Sequence, residues 1–121
     1  MNPETLLREA VAWIQKNNYK IDRLAWYGNY YCPIRAVIKM NNKSDSSPSS
    51  GVETAARLLN VSDEWVRAFM YGFAGCMPQL KNQDGVKLAR PLDAFKLGWD
   101  MGVELCGEGP RPWEQLDIGQ R

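Results

Sequence analysis

Leu6, Leu7, Ala10, Val11 and Ile14 recur at the spacing of one helical face, with Arg8, Glu9 and Lys16 off it, and predict a helix over about residues 3–17. Asn2-Pro3 gives that helix its start, because Asn accepts from the free N–H groups of a first turn and Pro at the first helical position gives up no bond. Asn17-Asn18 marks its end. In "YKIDRLAWYGNYYCPIRAVIKM" the period changes. A Gly-Asn pair between aromatic residues is the mark of a two-residue turn, so a short aromatic β-hairpin is expected near residues 21–32. Pro33 then opens a segment in which Ile34, Val37 and Ile38 share a helical face while Ile34, Ala36 and Ile38 fit a strand; the helix is preferred.

Residues 41–51, "NNKSDSSPSSG", have no apolar side chain to anchor them and read as a mobile surface loop. Apolar spacing resumes with a helix over about 52–59, a turn at Asn60, and a second helix capped by Ser62, with Asp63 and Glu64 in the first turn where the helix dipole favours them. A loop over 76–90 leads to Pro91, which opens the last helix. On that helix Asp93, Lys96, Asp100 and Glu104 make one narrow polar stripe, so it is expected to be the most buried element. The tail over 107–121 shows no period and has Trp113 as its large apolar anchor. The expected architecture is mainly α: a single-domain bundle of about five helices over residues 1–106, followed by that tail.

Composition narrows the picture. At 121 residues, 45% hydrophobic and 24% charged, the chain is long enough for one core that hides about two-thirds of its unfolded surface. Its start carries Glu4 and Glu9 where an export signal has a basic region, and its longest uncharged run, residues 68–80, has 13 residues and contains Pro78, too short to span a bilayer. Cytoplasmic residence with no membrane partner is the expectation. Cys32, Cys76 and Cys106 are odd in number and widely separated, against both a disulfide framework and a Cys-x-x-Cys metal site. The chain has no histidine, which removes Ser-His and Cys-His nucleophiles, a His general base and the common His-bearing zinc sites. Neither a metal nor a cofactor is expected.

Two phrases nearly repeat: "AFMYGFAGC" over 68–76 and "AFKLGWDMG" over 94–102. Residues four apart on a helix lie one above the other, so Ala68, Gly72 and Cys76 form one column of small side chains, and Ala94, Gly98 and Gly102 form another. Each helix-interior glycine costs about 1 kcal/mol relative to alanine, so Gly72, Gly98 and Gly102 need a compensating close contact. The first expectation is that the two helices pack on each other; the second is that a column faces another subunit or a flat ligand. The flanking segments "VSDEWVR" and "KLARPLD" do not match, which marks a shared packing solution instead of a duplicated domain.

Candidate chemistry is sparse. Residues 1–43 hold seven basic side chains against three acidic ones, a net +4, and the remainder carries −3, so an anionic partner is sought in the first third. There Trp26, Tyr27, Tyr30 and Tyr31 lie among Lys20, Arg23, Arg35 and Lys39, an arrangement that stacks unpaired bases in some proteins and fills a core in most. Asp100 and Glu104 have the spacing of an acid–base pair, but Lys96 in the same stripe makes a solvated ion-paired face the better reading. Cys32 stands beside Arg35 at a helix start, where a thiol is either activated or, the better reading, buried as a small apolar group. No phosphate-cradling or calcium-binding loop is present in the sequence.

The segment "ETAARLLNVSDEWVRAF", residues 53–69, resembles the helix-turn-helix of DNA-binding proteins: Ala55 and Ala56 stand where the helices cross, Asn60 at the tight turn, and Leu59, Val61, Val66 and Phe69 supply the apolar order. The resemblance implies that the second helix meets bases through its early residues, here Asp63, Glu64 and Arg67. Residues 51–75 carry a net −1, which departs from the positive face that phosphates require. The function expected from the sequence is therefore a small non-catalytic binding or regulatory module acting through protein contacts, with a homodimer as one form. The alternative is a nucleic-acid-binding protein using residues 52–75, the basic aromatic segment 19–39, or both, with Lys20, Arg23, Trp26, Tyr27, Tyr30, Tyr31, Arg35 and Arg67 as its contact residues.

Overall fold

The computed structural model describes residues 2–22, 28–43, 48–74 and 91–107. These residues form five helices and one two-stranded sheet: α1 (Pro3–Lys16), β1 (Lys20–Ile21), β2 (Tyr30–Tyr31), α2 (Pro33–Met40), α3 (Pro48–Leu59), α4 (Asp63–Ala74) and α5 (Leu92–Cys106). The mainly helical class follows. The chain divides into two compact units, Met1–Val66 and Arg67–Arg121, and the division falls inside α4. No helix among the described residues is long and apolar enough to cross a membrane.

In the first unit α1 starts as its sequence requires: Asn2 Oδ1 accepts from the Thr5 N–H at 2.8 Å, and Pro3 occupies the first turn. Leu7, Ala10, Val11 and Ile14 are the buried face. The exposed Glu4–Arg8 pair, 3.1 Å apart one turn along, adds a few tenths of a kcal/mol. α2 has the same plan at its start, with Cys32 as the cap residue and Pro33 in the first turn. Residues Pro33 through Ile38 are all buried, and α2 packs against both α1 and α3. α2, and not α5, is thus the most buried helix, with Lys39 and Met40 alone half-exposed; on α5 Leu97, Val103 and Leu105 are half-exposed. The segment fitted a strand as well as a helix because Ala36 is buried along with Ile34, Val37 and Ile38, so that apolar side chains stand at the alternating spacing as well as at the helical one.

Three helices of this unit end by one device. Asn18, Asn42 and Asn60 take the left-handed conformation, with φ of 59°, 58° and 57°. In each case the residue after the Asn donates its N–H back to the last turn: Tyr19 to the Ile14 carbonyl, Lys43 to Ile38, and Val61 to Ala56. These bonds satisfy carbonyls that the helix end leaves open, and Asn tolerates the conformation better than most residues with a side chain. In both Asn-Asn pairs the first Asn also donates its side-chain amide four residues back, Asn17 to the Trp13 carbonyl at 2.8 Å and Asn41 to Val37 at 2.7 Å.

One boundary and one strand direction differ from the sequence reading. α3 begins at Pro48, so the last four residues of the expected 41–51 loop are helical: Pro at a first turn loses no bond, and Ser49-Ser50-Gly51 follow it into the helix. Residues 44–47 lie outside the described structure. The short two-stranded element expected within 21–32 is present and Gly28 has positive φ, 61°, but its strands run parallel, with Lys20 opposite Tyr30 and Ile21 opposite Tyr31. Lys20 N–H donates to the Asn29 carbonyl and Asp22 N–H to that of Tyr31. A tight Gly28-Asn29 turn joins antiparallel strands only, so it is not the connection here.

In the second unit Ala68, Phe69, Gly72 and Phe73 are the buried residues of α4, and Ala94, Phe95, Gly98, Trp99, Met101 and Gly102 those of α5. The Phe69 and Phe73 rings stack at 6.1 Å, and Phe95 lies 6.0 Å from Trp99. Gly107, at φ 105°, closes α5 by donating to the Val103 carbonyl.

Candidate binding surface

Strand alternation sorts the two tyrosines of β2. Tyr31 is buried and Tyr30 is 47% exposed, the one large apolar side chain left exposed among the described residues. Beneath the sheet Tyr31 joins an aromatic cluster: it stacks on Tyr19 at 4.7 Å and 19°, and meets Trp13 edge-on at 5.5 Å. Trp13 and Tyr19 also touch, 5.5 Å apart. Tyr19 reaches this position because it follows left-handed Asn18, which turns the chain back along the last turn of α1.

Arg35, in the first turn of α2, is 7% exposed. Its guanidinium lies 4.2 Å from the centre of the Tyr31 ring, and Nη1 donates to the carbonyls of Gly28 at 3.1 Å and Tyr30 at 2.6 Å. A buried cation is tolerable only where carbonyl dipoles and a ring face replace its water. Arg35 therefore fastens the Gly28–Tyr31 segment to α2. On the outer side Lys20, opposite Tyr30 across the sheet, places its ammonium 5.6 Å from the Tyr30 ring centre. The outcome is an exposed aromatic ring whose backbone is pinned from below and whose neighbour is a cation.

Of the residues expected on a basic aromatic surface, the structure brings Lys20 and Tyr30 together outside and Tyr31 and Arg35 together inside. Arg23, Trp26 and Tyr27 lie outside the described residues; Arg67 is exposed on α4. Trp13 and Tyr19 were not singled out from sequence as partners of Tyr31. The available signal was an aromatic directly after an Asn that ends a helix, the position that folds back on the last turn.

Cys32 is buried and its Sγ accepts from the Arg35 N–H at 3.5 Å as the cap of α2. Burial pushes the thiol above its ordinary value of 9.0, against smaller lowering contributions from backbone N–H groups and the Arg35 charge. At neutral pH it is a protonated capping group. Asp100 and Glu104 are exposed on α5. Among the described residues no group of three His, Cys, Asp or Glu side chains is placed to hold a metal ion.

Gly72 and Gly98 of the small-residue columns meet backbone, as expected of two helices that pack on each other. A β-carbon added at Gly72 would overlap the Phe95 carbonyl oxygen and stand 2.9 Å from the Trp99 nitrogen; one at Gly98 would overlap the Phe69 carbonyl oxygen and stand 3.0 Å from the Phe73 nitrogen. Each glycine thus lets the other helix's backbone in. Ala68, Ala94 and Gly102 are buried, and Cys76 lies outside the described residues. Over residues 53–69, Asn60 has the positive φ of a tight turn, and Ser62 Oγ accepts from the Trp65 N–H at 3.1 Å. Ala55, Ala56, Leu59, Val66 and Phe69 are buried, while Glu64 and Arg67 are exposed. Compared with protein-family models, with curated proteins and with solved structures, the chain matches none of them.

Proposed function

We propose that this chain is a small non-catalytic binding module that acts through protein–protein contacts centred on Tyr30 and Lys20. The observation that carries the reading is the exposed Tyr30 ring on a backbone fixed by buried Arg35. An exposed tyrosine gives a large contact area for little lost rotamer freedom, and a pinned backbone has already met the cost of ordering. The other groups with chemical promise have internal uses: Cys32 caps α2 as a thiol, and Gly72 and Gly98 admit each other's helix. A second copy of the chain, if it is the partner, has to dock elsewhere than on those two glycines.

The test is a photo-crosslinking residue at position 30, compared with one at exposed Arg57, first in the purified protein and then in extract of the source cells. The reading expects a protein adduct specific to position 30, and an adduct mass of twice the chain identifies self-association. Adducts to nucleic acid alone, or equal yields at both positions, overturn it.

A second reading, single-stranded nucleic-acid binding, is favoured by the pairing of exposed Lys20 with exposed Tyr30, since a ring and a cation are the elements of a base-stacking site. It expects an oligo-dT shift at low salt that weakens as salt rises. Duplex binding through α3–α4 has less support, because Glu64 is exposed and Asp63 half-exposed at the start of α4. A gel with no shift of either strand form at low salt removes both.

A further inference from the structure

We draw no further inference here: the strongest candidate, the half-buried Trp13–Tyr19 aromatic corner at the C-terminal end of α1, is a surface for which nothing in the structure shows what covers it.

Discussion

Arg35 and Cys32 carry the residue-scale predictions. Replacing Arg35 by Met keeps an unbranched apolar stem but removes the donor to two carbonyls and the cation over Tyr31. The expected loss is about 1–3 kcal/mol in urea unfolding, from two part-buried hydrogen bonds and the ring contact given up together. Arg35→Lys should recover only part of it, since a lysine has no fork and stacks poorly; an unchanged urea midpoint in both variants would show that the guanidinium fastens nothing. Cys32, buried and protonated, should alkylate with iodoacetamide far more slowly than half-exposed Cys106 and catch up only on unfolding. Its raised pKa also fixes a sign. Below the ordinary value of 9.0 both folded and unfolded chains keep the proton; above it the unfolded chain sheds a proton that the folded chain retains, so stability falls as pH rises toward the folded value. The margin of the wild type over Cys32→Ala should therefore shrink between pH 8 and pH 10, and a margin that widens contradicts the burial. The basic and aromatic composition of this stretch was legible in the sequence. Which of Tyr30 and Tyr31 faces water was not, because the strand is two residues long and either side of a β-residue pair fits the pattern.

At the scale of elements the helix ends were the most readable feature. Asn-Pro and Ser62 mark starts, and Asn-Asn marks stops, because caps act within four residues and need no distant partner. The left-handed Asn18, Asn42 and Asn60 predict that Asn→Ala at each costs about 1 kcal/mol while Asn→Gly is neutral or stabilising; thermal melts of the six variants decide it, and equal effects of Ala and Gly would contradict the common device. α4 and α5 give a sharper case. On an isolated helix Gly→Ala gains about 1 kcal/mol, yet at Gly72 or Gly98 the new β-carbon meets the other helix's carbonyl oxygen. Both substitutions are expected to reverse sign and cost several kcal/mol, since backbone yields less easily than a side-chain tip. A variant as stable as the wild type would mean that the helices do not approach at these positions. The small-residue columns were legible from spacing. That the two helices pack on each other was the first expectation and holds at Gly72 and Gly98; spacing left a second subunit or a flat ligand open, because it says only that something must come close. The strand direction at β1 and β2 differs from the hairpin expectation for a related reason: Gly-Asn signals a turn, but here Asn29 accepts from the Lys20 N–H and Tyr31 from that of Asp22, bonds to residues well back along the chain that no local pattern announces.

At the scale of the whole molecule the prediction concerns Tyr30. As an exposed side chain it should tolerate Tyr30→Ala with stability changed by less than about 0.5 kcal/mol, while binding of the partner that crosslinking identifies is lost; a collapse in stability would assign the ring to the fold instead of to recognition. Lys20→Ala should leave the fold equally intact and weaken the same contact. By itself the sequence determined the helical class, most of the helix boundaries, the buried face of α1 and the small columns of α4 and α5, all of which arise from interactions within a few residues or from the 3.6-residue period. Tertiary structure alone decided that α2 is the most buried helix, that the contact of Gly72 and Gly98 is with each other's helix and not with a second subunit or a flat ligand, and that Arg35 goes under Tyr31 while Lys20 stays over Tyr30. Those outcomes depend on which surfaces meet across the chain, and a buried arginine and an exposed tyrosine differ from their neighbours in partners, not in local pattern.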